Sequence, residues 1–163
     1  MNELKLCIPD PSLDLVLERF VEVPVERVWA AWTQPELIVQ WFTPAPWKTA
    51  KIELELWPGG KFKTVMESPE GELMDHDPGC VLEVVENRKF VWTSGMMPGY
   101  RPRAAADGEF LFTAEISMTA ENGGTLYRAV AIHDDVEGCR MHEEMGFHGG
   151  WGTALDQLVS LMK

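Results

Sequence analysis

The chain has 163 residues, a formal net charge of −12 at pH 7, 45% hydrophobic and 25% charged residues, which suits one globular domain with a sizeable core. So acidic a chain lacks the basic surface that phosphate contact or adsorption to anionic lipid requires, which argues against nucleic acid and membrane partners. No apolar run is long enough to span a membrane, residues 1–9 do not read as a secretion signal, and Cys7, Cys80 and Cys139 are too far apart for a disulfide framework or a zinc motif, so a cytoplasmic protein with free thiols is expected.

Residues 1–12 form a tail, and 13–163 read as a single domain. Leu13, Leu15 and Leu17 alternate with Asp14 and Glu18 and predict a first strand to Glu22. Arg19 falls on the apolar side of that strand and requires a partner, because a buried unpaired guanidinium is very costly. Pro24 suits a helix start, and Val25, Val28, Trp29 and Trp32 then recur at helical spacing. Thr33 and Glu36 resemble a capping box for a second short helix bearing Leu37, Ile38, Trp41 and Phe42. From Trp47 to His133 the period changes to two. Ile52, Leu54 and Leu56 form one alternating set, and Phe62, Thr64 and Met66 another. Gly79–Val85 and Lys89–Thr93 follow, split at Glu86-Asn87. Ser94–Gly108 is a long loop. Phe110, Phe112, Ala114, Ile116 and Met118 then alternate, with Thr113, Glu115 and Ser117 between them, and Asn122-Gly123 is a strong hairpin signal before the last strand, Thr125–His133. On that strand Leu126, Val130 and Ile132 facing inward would put Tyr127 and His133 outward; Arg128 contradicts this register, and all three polar residues are expected at the surface.

Residues 134–163 read as one long C-terminal helix, started by Asp134 with Glu137 and carrying the stripe Met141, Met145, His148, Gly152, Leu155, Val159 and Met162. Its first half holds Gly138, Gly146, Gly149, Gly150 and Gly152, each costing roughly 0.5–1 kcal/mol against alanine inside a helix. They fit a ligand-holding space beside the helix, and equally a loop between two short helices or close packing on a curved sheet. A half-apolar antiparallel sheet needs a cover, and only this helix is long enough. The fold expected is α+β, a curved antiparallel sheet of six to seven strands wrapped around a long C-terminal helix, with two short helices after the first strand.

Several stretches in this order resemble the helix-grip superfamily of START domains, the birch-pollen allergen fold and polyketide cyclases. They are Arg19–Pro24 with Val25-Glu26-Arg27-Val28-Trp29, then Ala31-Trp32-Thr33-Gln34-Pro35-Glu36, Trp41-Phe42, Pro58-Gly59-Gly60-Lys61-Phe62, Val81–Val85 and His142–Gly152. Within that superfamily the chain is similar to the branch named after the activator of the Hsp90 ATPase. The resemblance implies a cavity between sheet and long helix that takes an apolar or amphipathic molecule. The branch name comes from a co-chaperone domain, which adds Hsp90 to the partner expectations behind a small hydrophobic ligand.

Trp41, Phe42, Trp47, Met66, Trp92, Phe112, Met145, Gly149 and Gly152 are the candidate lining, although ordinary core packing explains each aromatic residue as well. His148, on the helix stripe, is the candidate acid–base or orienting group. A cyclase- or hydrolase-like enzyme using that histidine and a protein-interaction module are the alternatives to a binding protein. His142 and His148 are six apart and do not share a helix face, so no metal site is expected. No phosphate loop, dinucleotide fingerprint or nucleophile elbow is present, so no cofactor is expected. An open sheet edge would permit a homodimer.

Overall fold

The alternating stretches pair as one antiparallel sheet in the computed structural model, which describes residues 4–163. Its strands are β1 (Asp14–Val21), β2 (Lys48–Leu54), β3 (Lys61–Glu67), β4 (Leu73–Asp75), β5 (Gly79–Val85) and β6 (Lys89–Thr93), followed after a small hairpin of β7 (Met96–Met97) and β8 (Arg101–Pro102) by β9 (Thr113–Glu121) and β10 (Gly124–Ile132). The order across the sheet is β1-β10-β9-β6-β5-β3-β2, with β4 pairing beside β3. The strands β1 and β2, consecutive in sequence, therefore lie at opposite edges. The helices α1 (Val25–Thr33) and α2 (Pro35–Trp41) carry the chain between them. Asn122 and Gly123, with φ of 48° and 78°, make the tight turn that joins β9 to β10.

The C-terminal region is two helices, α3 (Val136–Glu144) and α4 (Phe147–Met162). Gly146, at φ 102°, sits in the left-handed region between them and ends the single helix expected over 134–163. The cap of α3 is Asp135, whose carboxylate accepts from the Gly138 N–H at 2.7 Å, rather than Asp134. Thr33 likewise does not cap α2. Its hydroxyl turns back to the Trp29 carbonyl at 2.7 Å, and Gln34 holds the cap position.

Phe147, Ala154, Leu155 and Leu158 form the buried face of α4, with Trp151, Val159, Leu161 and Met162 packed partly against the core. The inner face of the sheet that meets it carries Phe62, Phe90, Trp92, Ala114, Ile116, Met118, Tyr127 and Ala129, all buried. Tyr127 is thus an inward residue, correcting the surface placement expected for it. Its hydroxyl accepts from Trp32 Nε1 at 3.1 Å. Helix α4 is pinned at three points. Gln157 Nε2 donates to the carbonyls of Trp41 and Thr43, and its Oε1 accepts from the Ala45 N–H. Arg19 finds its partner in Asp156 at 2.8 Å, and Arg27 donates to the Met162 carbonyl.

On the outer face Glu115 and Lys89 are buried. The segment before β1 covers them. The Cys7 N–H donates to both oxygens of Glu115 at 3.2 and 3.1 Å, Lys89 Nζ donates to the Lys5 carbonyl, and Arg128 to the Cys7 carbonyl. Lys89 also pairs with Glu83 at 2.9 Å and lies 3.6 Å from Glu115. No helix among the described residues is long and apolar enough to cross a membrane.

Candidate functional site

Aromatic residues placed on β3, β6 and the entry to β9 form a row along the inner face. Phe62 stacks on Trp92 with ring centroids 4.4 Å apart, and Trp92 meets the edge of Phe112 at 5.4 Å. Phe112 continues the row to His142 of α3 at 4.7 Å and to Trp151 of α4 at 6.0 Å. Phe42 closes the other end, 5.9 Å from Phe62 and 5.8 Å from Trp32. Phe112 and Trp151 keep part of their surface in solvent, so they form the accessible part of this wall. The backbone under Phe112 is clamped: its carbonyl accepts from the Ser94 N–H at 2.9 Å and its N–H donates to Ser94 Oγ at 2.9 Å.

Two histidines meet at the α3 end of the row. His133 Nδ1 lies 2.7 Å from the Leu13 carbonyl, and His133 Nε2 lies 2.9 Å from His142 Nδ1. Both rings are buried, and Phe110, Phe112, Phe147 and Trp151 surround His142. Burial, helped by the neighbouring His133, pushes the His142 pKa down to about 4, so the ring is neutral at neutral pH. Two side-chain polar atoms wholly shut off from solvent lack a hydrogen-bond partner among the described residues, Asp14 Oδ1 and Trp92 Nε1. The second stands on the inner face, in the middle of the aromatic row.

The sequence candidates divide between this row and the surface. Trp92 and Phe112 are in it. Trp41 and Phe42 flank it, Trp41 being buried with its Nε1 donating to the Ala31 carbonyl at 2.9 Å. Met66 is half-buried near the β2 edge of the sheet. Trp47 is 37% and Met145 76% exposed. His148 points to solvent beside Glu143, 3.5 Å away, and Gly149 is exposed. A Cβ built on Gly149 or Gly152 would meet nothing within 4 Å. His148 and Met145 therefore do not lie on the core-facing stripe: Met145 caps the end of α3 ahead of Gly146, and the buried face of α4 centres on Phe147, Ala154 and Leu158, which leaves His148 on its flank. Among the described residues no group of three or more His, Cys, Asp or Glu is placed to hold a metal.

His133, His142, Phe110, Phe147 and Trp151 complete the row and were not among the sequence candidates. One signal pointed to His133. Just past the end of β10 it continues the side of Tyr127, Ala129 and Ala131, and alanines suit the side that a helix covers, whereas Arg128 marks the other side as outward. Two surface hollows of about 360 Å³ each lie elsewhere, one at Phe20 and the Asn122–Gly124 turn, the other between Arg19 and Val159.

Comparison with known proteins agrees with this architecture. The family described as activator of Hsp90 ATPase homolog 1-like protein matches residues 22–163. A solved structure of a Nitrosomonas europaea protein is 42% identical, covers 94% of this chain and 96% of its own, and superposes with a TM-score of 0.88. Proteins of Rhodobacter sphaeroides (19% identity, 94% of each chain, TM-score 0.78) and Mycobacterium smegmatis (22%, 93% and 91%, TM-score 0.74) share the fold. No curated protein matches the chain. With its helix-grip architecture and a family match running from the end of β1 through α4, the chain belongs to the activator of Hsp90 ATPase homolog 1-like family.

Proposed function

We propose that this protein binds a small apolar or amphipathic molecule against the inner face of the sheet, along the row from Phe62 to Trp151. The observation that carries this reading is the Trp92 indole N–H, buried on that face without an acceptor. Leaving such a donor unpaired costs about 1–3 kcal/mol, and a ligand acceptor would recover it. Phe112 and Trp151, both half-buried, supply adaptable apolar contact beside it. The three free cysteines fit the reducing cytoplasm. His148 faces solvent, so no acid–base role is proposed for it.

Mass spectrometry of the freshly purified protein, native against denatured, tests the reading. An excess mass seen only in the native spectrum, and reduced in Trp92→Phe, is the expected result. An equal excess in both proteins would mean that the ligand sits elsewhere.

A protein-interaction role rests on a different observation. Trp57 and Tyr100, 57% and 49% exposed, project from two turns that meet where the Gly99 N–H donates to the Gly59 carbonyl at 2.8 Å. If these residues hold a protein partner such as Hsp90, Trp57→Ser abolishes capture of purified Hsp90. Unchanged capture removes this basis.

A further inference from the structure

The sheet has two edges, and only one of them is blunted. At β2 the register against β3 shifts between Thr49 and Lys51, and the strand carries Lys48, Lys51 and Glu53. A kinked, charged strand of this kind resists further pairing. The other edge, β1, runs in unbroken register over eight residues and pairs with β10 alone. The Val21 carbonyl is directed at Gly124 of β10. Main-chain groups alternate in direction along an antiparallel strand, so those of Val16, Glu18 and Phe20 are directed away from β10. Outside the pair with β10, no group among the described residues bonds to the main chain of residues 15–22.

Side chains flank this open edge on both faces. On the inner side a hollow of about 360 Å³ lies between the edge and α4, lined by Val21 and Val159 together with Arg19, Phe20, Glu22, Asp156 and Lys163. Arg19 and Asp156 neutralise each other there at 2.8 Å. On the outer side Glu18, Phe20 and, one residue past the strand, Glu22 are exposed. Neither glutamate forms an ion pair among the described residues, although Arg128 stands opposite Glu18; its guanidinium turns to the Cys7 carbonyl instead. Phe20, 46% exposed, covers Gly124 with its ring.

We propose that the β1 edge is a docking site for an extended segment of a partner protein, basic at alternate positions and apolar between them. The segment adds a strand beside β1, its main chain pairing with that of Val16, Glu18 and Phe20. Successive side chains of a strand point to opposite faces, so one segment meets both surroundings. Its apolar side chains enter the hollow beside Val21 and Val159, and its basic ones meet Glu18, Glu22 and the face of Phe20. A net charge of −12 draws a positive partner and repels a second copy, which would bring its own Glu18 and Glu22 to the same edge. This surface lies apart from the aromatic row, and the interaction goes beyond the ligand binding proposed there.

The test is NMR titration of the full isotope-labelled chain with a short end-blocked peptide in which lysine and valine alternate. Two relatives serve as controls, one with glutamate in place of lysine and one with the basic side chains kept and the main chain N-methylated. The basic peptide should shift the amide resonances of Glu18 and Phe20 and slow their hydrogen exchange. The acidic peptide should bind about three- to tenfold more weakly, and the N-methylated one should leave both amides unmoved. In the Glu18→Gln/Glu22→Gln protein, altered only at exposed side chains, the basic and acidic peptides should bind alike. Equal binding of the N-methylated peptide means adsorption by charge and overturns strand addition. No shift at the β1 amides with millimolar basic peptide overturns the site. Shifts of the same amides with rising protein concentration alone would seat a second copy on the edge and overturn the partner assigned to it.

Discussion

At the scale of single residues, the polar groups on the inner face set the measurable properties. A histidine with a depressed folded-state pKa takes up its proton more readily when the chain unfolds. The stability it contributes is therefore complete above its unfolded value of 6.5 and is lost as the pH falls from there toward about 4. For His142 the full loss is on the order of 3 kcal/mol. Urea unfolding at a series of pH values should show this decline in the parent, and a shallower one in His142→Phe over the same interval; parallel profiles would rule out His142 as the cause. Tyr127 is a second case. Burial raises its phenol pKa well above the usual range, so it stays protonated, and its oxygen is the acceptor for Trp32 Nε1. Tyr127→Phe leaves that indole N–H unpaired in the core and should cost about 1–3 kcal/mol, read from the urea midpoint. Neither role was legible in the sequence. Tyr127 and His133 were expected at the surface because Leu126, Val130 and Ile132 are the larger apolar side chains of β10. They lie instead on the outer face, where the segment before β1 is tied to Arg128 through the Cys7 carbonyl.

At the scale of elements, the C-terminal helix region shows what glycine does and does not signify. Gly146 makes the left-handed break between α3 and α4, and alanine there would be strained. Gly149 and Gly152 lie inside α4 with open space around their would-be Cβ atoms. Alanine at either position should stabilise by about 0.5–1 kcal/mol and raise the Tm by about 1–4 °C, and a fall in the melting scan would show that a bound molecule or a close contact occupies that space. Gln157 is the element-level fastener. Its amide makes three hydrogen bonds to the α2–β2 connection, with Trp41, Thr43 and Ala45. Gln157→Ala should therefore destabilise by about 1–3 kcal/mol, and hydrogen exchange at the Ala45 amide should speed up more than at the strands. The existence and type of nearly every element could be read from periodicity and turn residues. The break between the last two helices could not, because the sequence position of Gly146 does not disclose its positive φ; Leu155, Val159 and Met162 of the expected stripe do pack on the core, whereas Met145 and His148, beside the break, face solvent.

At the scale of the whole molecule, the sheet is enclosed from two sides, by α1, α2 and α4 within and by the N-terminal segment without. The second cover buries Glu115 with Lys89 and Arg128 near it. Removing residues 1–9 would strip the Cys7 N–H from Glu115 and should lower stability by about 1–3 kcal/mol, measured by urea unfolding, with the loss shrinking in Glu115→Gln. An unchanged unfolding curve would show that water replaces the segment at no cost. What the sequence by itself determined is the helix-grip order: strand, two helices, a run of strands at period two, and a C-terminal helix to cover them. Those patterns are local, each being written in the spacing of apolar side chains within one element. Tertiary structure alone decided which face of β10 is inward, that Phe112 and His142 share a wall with Trp92, and that the Trp92 indole N–H is buried there without an acceptor. These depend on register between strands distant in sequence and on the change of direction that the break at Gly146 makes between α3 and α4. Neither quantity is carried by the residues of any one segment.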